Sequence, residues 1–536
     1  MIAALAIATG CYSTGEGPDP VPHAIYFPVG LAVSPGGGAL YVANSDFDLQ
    51  FNSGTVEAYD LARLRKILEP LWSTGDATVR ACAAAGLGVN ATPVLQPGVC
   101  GPLDLRSPPD AASNPEPIVK ASARIGAFAT DLLYVCHPSE DPTRRGSCSQ
   151  SGTADPRGSR LFVPVRGDAS LTFFEVDDDR PVTPPEPGVV RPSGAQTFRL
   201  DCGQAANNGR CADGHRAGVD AHDNTRGLTL PAEPFAIAVS ERTDSILVTH
   251  QGSGSVSLFT GLGGASVLDA KPALQYVLGG LPGFTTGVAP LPIPGSVARL
   301  GLAATNYQPG FVITYRGIPG IPQVEILRVF DDSFAAPSRP FLSRAAAFPL
   351  QSTPSGTDSR GIAIDSQPRA ACEADCEGRS DENTCVAACS QVALPAYIAN
   401  RSPASLLVGE VRSPDPNGAS DDITIYETVP LAQGPSRVVV GNIRDRRGVA
   451  RKRVFVLAFD ARIIFVYDPV EHRVDGQIRT GRGPYSLVMD PIEPIAYVGH
   501  FTDSYIGLVD LDESHGDTFE SLVATIGVPN PPQESK

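Results

Sequence analysis

The chain has 536 residues, with 42 Lys and Arg against 58 Asp and Glu, which gives a formal charge of −16 at pH 7. Its 54 Gly and 50 Pro exclude a mostly helical protein, because both residues are poor in helix interiors, while 42% hydrophobic content excludes wholesale disorder. The acidic balance argues against nucleic acid as a partner, since phosphates demand clustered Lys and Arg.

The chain begins with a short apolar run that ends in Ala8-Thr-Gly-Cys11. The run is too short to span a bilayer as a helix. No basic residues precede it, so we expect the natural start codon upstream. The tetrapeptide resembles a bacterial lipobox, which implies a signal segment at 1–11, lipidation of Cys11 and a flexible tether at 12–24. The alternative is a buried N-terminal strand with an incidental cysteine.

A three-strand pattern then recurs along the chain. Each copy opens with an apolar run after a turn residue, continues with a β-branched or aromatic strand, and closes with an alternating strand. The clearest copies begin at Pro28, Pro234 and Pro484, and weaker ones open near Ile125, Gly287, Gly361 and Pro435. The weaker copies have predicted middle strands near 161–163, 302–304, 396–398 and 454–456, and third strands near 171–174, 311–315, 405–408 and 463–467.

Seven antiparallel units predict an all-β fold, a single seven-bladed β-propeller over residues 25–527. The weak copies decide the number of blades, so six or eight blades remain alternatives, and whether segment 24–27 pairs with the final blade is open. Insertions are expected at about 62–120, 137–158, 178–230 and 367–394, and a disordered tail at 528–536.

Leu40-Tyr-Val-Ala-Asn44, which follows Ser34-Pro-Gly-Gly-Gly38, resembles the YVTN-repeat β-propellers of exported and cell-surface proteins. The resemblance covers most of residues 25–527 and is sharpest in the first, third and last copies. It departs from the family in the long cysteine-bearing insertions. The family implies a seven-bladed binding or scaffold module, and some relatives of similar architecture are lactone hydrolases, which is an analogy of fold alone.

Ten cysteines remain beside Cys11, and they are close neighbours within the insertions. Local pairs in loops indicate disulfides of an oxidising compartment. The last four form two Cys-x3-Cys units, whose i, i+4 spacing suits a short helical hairpin. A zinc site with four thiolates is the rival hypothesis for them. The predicted disulfides are Cys82–Cys100, Cys136–Cys148, Cys202–Cys211, Cys372–Cys389 and Cys376–Cys385.

The residues that end the second strands should meet at one rim of the central channel. A ring of amides and imidazoles there is typical of binding to a sugar, a peptide or a metal. The favoured alternative is that each side chain caps its own turn. The rim candidates are Asn44, His250, Asn306, Asn400 and His500, with Val165 and Ala458 in the other two copies.

No Gly-x-Ser-x-Gly, His-Glu-x-x-His or Gly-x4-Gly-Lys-Ser/Thr motif occurs, so we predict no catalytic residues, metal or cofactor. We expect a cell-envelope lipoprotein, of the outer membrane, whose propeller binds a protein or glycan partner without catalysis. The alternative is a lactonase-like hydrolase or lyase acting at the channel mouth.

The basic run Arg444–Arg453 is either a contact for anionic head groups or polysaccharide, or a solvated hairpin.

Overall fold

Seven antiparallel sheets follow one another along the chain in the computed structural model. Each is built from consecutive strands, and one carries an additional short strand. The structure describes residues 17–73, 79–91, 97–136, 148, 158–180, 197–241, 244–261, 266–281, 284–293, 307–316, 323–331, 339–350 and 358–529.

Blades 1 to 3 account for the first thirteen strands, and β9 pairs with β7 as the additional strand of blade 2. Their bounds are, for blade 1, β1 (Pro28–Val33), β2 (Ala39–Asn44), β3 (Gly54–Asp60) and β4 (Val119–Ile125); for blade 2, β5 (Leu133–Val135), β6 (Ser159–Val165), β7 (Ser170–Val176), β8 (Leu200–Asp201) and β9 (Arg216–Ala217); for blade 3, β10 (Pro234–Val239), β11 (Ser245–His250), β12 (Ser255–Gly261) and β13 (Pro272–Leu278).

Blades 4 to 7 have four strands each. Their bounds are, for blade 4, β14 (Thr285–Pro290), β15 (Gly310–Tyr315), β16 (Gln323–Phe330) and β17 (Phe341–Pro349); for blade 5, β18 (Ser359–Ile364), β19 (Leu394–Arg401), β20 (Ala404–Arg412) and β21 (Asp422–Pro430); for blade 6, β22 (Pro435–Arg444), β23 (Ala450–Ala458), β24 (Ile463–Asp468) and β25 (Arg473–Arg479); for blade 7, β26 (Pro484–Met489), β27 (Ile495–His500), β28 (Tyr505–Asp510) and β29 (Ser521–Ile526).

The innermost strands enclose a central channel. Each contacts the innermost strand of the next blade, and β26 contacts β1 to complete the ring. Apolar side chains fill the space between neighbouring blades. Because both faces of a strand are buried there, its sequence is a near-continuous hydrophobic run. The predicted seven-bladed propeller is confirmed.

Two weak copies of the pattern were assigned wrongly. Ile125 ends β4, the outer strand of blade 1, and blade 2 opens instead at β5, which is too short to stand out in the sequence. In blade 4 the run 311–315 belongs to the second strand, β15, and the third is β16. Residues 302–304, predicted as its middle strand, lie outside the described residues. An apolar run alone does not reveal which strand of a blade it forms.

An insertion from blade 1 covers the seam between the first and last blades. It contains the helices α1 (Leu61–Leu68), α2 (Pro70–Ser73) and α3 (Val79–Ala84). Leu103 forms a parallel bridge with Ile526, and its amide donates to the Thr525 carbonyl at 2.8 Å. Segment 24–27 forms no strand with blade 7; the Phe27 amide instead donates to Ser504 Oγ at 3.1 Å.

All five predicted disulfides are present. The predicted hairpin consists of α4 (Gln367–Asp375) and α5 (Glu382–Cys389), joined by the last two disulfides. The four sulfurs form two disulfide bonds and so are not available as thiolate ligands, and the rival hypothesis of a zinc site is wrong.

The N-terminal segment rests on blade 1. Residues 1–16, including Cys11, lie outside the described residues. The described part of the predicted tether begins at residue 17 and contacts blade 1, because the backbone amide of Asn52 donates to the Pro18 carbonyl at 3.0 Å. In the described part of the chain, no helix is long and apolar enough to cross a membrane.

Candidate functional site

The channel opens on the face where each inner strand begins and each second strand ends. Pro28 pairs with Asn44, Pro234 with His250 and Pro484 with His500 in the strand registers, so these ends share one face. We call it the mouth face. A cavity of about 460 Å³ occupies the channel there, and its wall is largely apolar, with Leu31, Leu132, Ile237, Val288, Ile362 and Leu487 among the lining residues.

An ion pair crosses the channel at this mouth. Arg437, from the inner strand of blade 6, donates from Nη1 to Asp131 Oδ1 at 3.0 Å, and Asp131 precedes the inner strand of blade 2. Arg437 also lies over the ring of Tyr485, 4.9 Å from its centroid, and the Tyr485 hydroxyl donates to the Thr130 carbonyl at 3.3 Å. This group of side chains connects three blades.

The pKa values at this contact follow from burial and charge. Burial acts to lower the pKa of Arg437, but the Asp131 carboxylate and the Tyr485 side chain together outweigh it, and the pKa lies above its ordinary value. Burial raises the pKa of Tyr485. Arg437 therefore stays charged and Tyr485 stays protonated at neutral pH, so both remain hydrogen-bond donors at the mouth.

Six aromatic side chains form a continuous cluster beside the mouth, which we call the aromatic arc. Phe47 is 49% exposed, and its centroid lies 5.2 Å from that of Phe501 and 5.8 Å from that of Phe128. Phe501 lies 5.9 Å from Tyr485. Phe459 and Phe501 directly follow second strands, and Phe47 lies three residues after another. The members are Phe27, Phe47, Phe128, Phe459, Tyr485 and Phe501.

Further ion pairs surround the opening. They place guanidinium donors and carboxylate acceptors around an apolar cavity, an arrangement that suits a ligand with both polar and apolar faces. Each of these carboxylates is already engaged by an arginine, which leaves it poorly placed to accept a proton from a substrate. The pairs are Arg166–Glu233 at 2.7 Å, Arg401–Asp460 at 2.7 Å, Arg482–Asp503 at 2.6 Å and Arg360–Asp358 at 2.6 Å.

The two described asparagines among the rim candidates are buried. Asn44 donates from Nδ2 to Thr55 Oγ1 at 3.0 Å and accepts from the Tyr26 amide at 3.2 Å. Asn400 donates to the Pro403 carbonyl at 2.7 Å. These bonds hold the asparagines to their own blades, as in the turn-capping alternative.

The two rim histidines are also buried. His250 bonds Ser257 Oγ through Nε2 at 2.7 Å and the Ala232 carbonyl through Nδ1 at 3.0 Å. His500 stacks on Tyr505 with the ring centroids 4.3 Å apart. Burial lowers the pKa of His250 to about 4 and that of His500 to about 3, so both imidazoles are neutral near pH 7. Neither lines the channel cavity.

The remaining rim positions differ from the prediction in one blade. Asn306 lies outside the described residues, and because β15 ends at Tyr315, that tyrosine ends the second strand of blade 4. Val165 and Ala458 end their strands as expected and are buried.

Arg437 was missed, although the repeat contains a signal for it. In blades 1, 3, 4, 5 and 7 the third residue of the inner strand is small, because neighbouring inner strands approach closely there; a Cβ on Gly361 would lie 3.1 Å from the Arg437 Cα. Arginine at this position of blade 6 is therefore an exception that an alignment of the copies reveals. The small residues are Gly30, Ala236, Gly287, Gly361 and Ser486.

The basic run Arg444–Arg453 forms the hairpin between β22 and β23, and much of its charge is neutralised locally. Arg451 pairs with Asp445 at 3.0 Å, and Arg453 pairs with Asp475 at 2.8 Å. Lys452 contacts Asp365. In the described part of the chain, no group of three or more His, Cys, Asp or Glu residues could hold a metal ion.

No family model and no curated protein matches the chain. Solved structures match it at low identity. A candidate 6-phosphogluconolactonase from Bacteroides fragilis is 14% identical over 78% of this chain and 89% of its own, with a TM-score of 0.44. A second, from Bacteroides uniformis, is 12% identical over 76% and 90%, with a TM-score of 0.40. The Cps50 β-propeller domain of Myceliophteria thermophila is 8% identical over 90% and 94%, with a TM-score of 0.39. Likenesses at this level carry no information about function.

Proposed function

We propose that this chain is a non-catalytic binding propeller of the cell envelope, held to the membrane by a lipid on Cys11, which takes a protein or glycan partner at the channel mouth. The observation that carries the proposal is the composition of the mouth: an aromatic arc whose member Phe47 is exposed, beside arginine–carboxylate pairs and above an apolar cavity. Aromatic and arginine side chains dominate the energetics of binding surfaces.

The pairing of the carboxylates favours binding over catalysis. Asp131 and Asp460 at the mouth are each within 3.0 Å of an arginine nitrogen. A general base needs a free lone pair within reach of the substrate. The lactonase-like alternative would require the ligand to break such a pair.

The exposed aromatic residue provides the test. In living cells, benzoylphenylalanine in place of Phe47 is expected to form a light-dependent adduct with the partner. The same probe in place of Tyr426, which is 55% exposed on the outer strand of blade 5, is the matched control and is expected to form none. Sensitivity of the adduct to protease or to periodate identifies the partner as protein or glycan.

Two outcomes contradict the proposal. Equal adducts at both positions, or none at position 47, would remove the mouth as the binding surface. Turnover of gluconolactone or 6-phosphogluconolactone by the purified chain, lost in Arg437→Ala, would establish the lactonase-like alternative instead.

A further inference from the structure

A second cavity lies on the mouth face where blade 1 meets blade 2, and it shares no lining residue with the channel cavity. It has a volume of about 260 Å³ and a polar wall. Three arginines line it, Arg124, Arg210 and Arg216, in a chain whose net charge is −16. Only two acidic residues, Asp168 and Asp213, are among the described lining residues.

The arginines come from three segments that the fold holds together. Arg124 lies on β4, Arg216 begins β9, and Arg210 lies in the loop closed by Cys202–Cys211. This loop docks along β4, since the Arg124 amide donates to the Gly209 carbonyl at 2.8 Å and the Cys211 amide donates to the Arg124 carbonyl at 3.0 Å. The arrangement is therefore preorganised, which lowers the entropic cost of binding a ligand.

Some guanidinium N–H groups in the cavity are unpaired or weakly paired within the described part of the chain. Arg216 pairs with Asp168 at 2.9 Å and Asp213 at 3.1 Å, yet its Nε is buried and has no hydrogen-bond partner among the described residues. Arg210 donates to the Asn52 carbonyl over a long 3.3 Å. A buried donor without an acceptor costs stability, and guanidinium groups are matched best by oxyanions.

A carboxylate from the N-terminal segment already lies at the edge of the cavity. Asp19 Oδ1 accepts from Asn52 Nδ2 at 2.6 Å, and the same carboxylate pairs with Arg124. The bond from Asn52 and the charges of Arg124 and Arg210 hold the pKa of Asp19 below its ordinary value. The Asp19 side chain is nevertheless 67% exposed, so little holds it in place apart from these contacts.

We propose that this cavity binds an oxyanion, the carboxylate, sulfate or phosphate group of a small ligand, and that Asp19 is an internal carboxylate which the ligand displaces. The proposal is independent of the function proposed for the channel mouth, because the two cavities share no residue.

Calorimetric titration of the purified full chain tests it, in a buffer of low ionic strength without phosphate. The probes are inorganic sulfate, inorganic phosphate and trigalacturonate. At least one is expected to bind the native chain. Arg210→Ala is expected to weaken that binding about tenfold or more, because a charge-assisted hydrogen bond is lost. Asp19→Asn is expected to tighten it about fivefold, because a competing negative charge is removed.

The matched control is Arg447→Ala, which removes the same charge from the exposed hairpin of blade 6. It is expected to leave affinity unchanged. Binding of trigalacturonate alone would assign the site to a uronate, and binding of phosphate or sulfate would assign it to the free ion. Absence of binding for all three probes, or equal losses in R210A and R447A, would overturn the proposal. An unchanged affinity in D19N would overturn the role given to Asp19.

Discussion

The described polar rim candidates mostly stabilise their own blades. His250 and Asn400 each have their hydrogen-bonding atoms within reach of neighbouring backbone or hydroxyl groups. Buried polar groups cost stability unless they are paired, so a partner inside the blade satisfies what an open channel would leave to solvent. Arg437 instead lines the channel cavity, and Phe47 is exposed beside it.

Glu57 gives a prediction at this scale. It is buried in β3, where Tyr59 donates its hydroxyl to Oε2 at 2.6 Å. Burial raises the pKa of Glu57 from 4.5 to about 7. The folded state therefore binds this proton more tightly than the unfolded chain, and the free energy of unfolding falls as pH rises through that window. Glu57→Gln removes the cost of ionisation and should stabilise the protein at about pH 8 by roughly 2–3 kcal/mol, with little effect near pH 5.

Denaturant unfolding of native and E57Q protein at both pH values measures this difference. Exposed Glu471→Gln is the matched control and should change neither value. A gain from E57Q that is the same at both pH values would show that ionisation of Glu57 is not the cause.

The disulfides stabilise the insertions between the strands. Helices α4 and α5 have nine and eight residues, too few to be stable alone in water. Their small interior consists of Cys376, Cys389 and Val386, and two disulfides connect the pair. The insertion of blade 1 differs, because Cys82 and Cys100 belong to the large apolar cluster that seals the first blade to the last.

Removal of the blade 1 disulfide should therefore destabilise the seam between the first and last blades, whereas removal of a hairpin disulfide should not. Cys82→Ser with Cys100→Ser opens a loop of 18 residues in the seam and should cost about 3 kcal/mol. Trp72, the single tryptophan, is buried in the same cluster, so its emission should shift towards that of exposed indole at lower denaturant than in the native chain.

The control is Cys376→Ser with Cys385→Ser, in the peripheral hairpin. Its Trp72 emission should follow that of the native chain. Identical fluorescence transitions in the two double variants would mean that the seam does not depend on its disulfide.

At the scale of the molecule, the mouth face brings the candidate sites together. The aromatic arc, the ion pair across the channel, the arginine cavity and the N-terminal segment all lie on it. Five residues separate Cys11 from Gly17, and an extended chain over those six Cα-to-Cα steps spans about 20 Å at most. A lipid on Cys11 would therefore hold the mouth face towards the membrane.

The lipid itself is tested by intact mass and by membrane fractionation of the native protein. We expect a diacylated Cys11 as the first residue, and a mass increase on reduction that corresponds to ten oxidised cysteines. Cys11→Ala should move the protein to the soluble fraction. A native chain that is soluble, unlipidated and rich in free thiols would refute the proposed location.

The sequence by itself determined the class of fold; it also favoured seven blades over six or eight, and it predicted the pairing of all five disulfides. These features depend on local relations: strand periodicity, short turns, and cysteines close along the chain. The same local signal failed at β5, which has three residues, and in blade 4, where the run 311–315 was assigned to the third strand but belongs to the second.

Only the tertiary structure decided which side chains meet at the channel mouth. Arg437 and Asp131 are 306 residues apart, and Phe47 meets Phe501 from the opposite end of the chain. Closure of the ring makes such residues neighbours. The sequence pattern of one blade does not predict which residues lie opposite it across the channel. Local periodicity sets which residues are buried, but the geometry of seven blades around one axis sets which of the others meet.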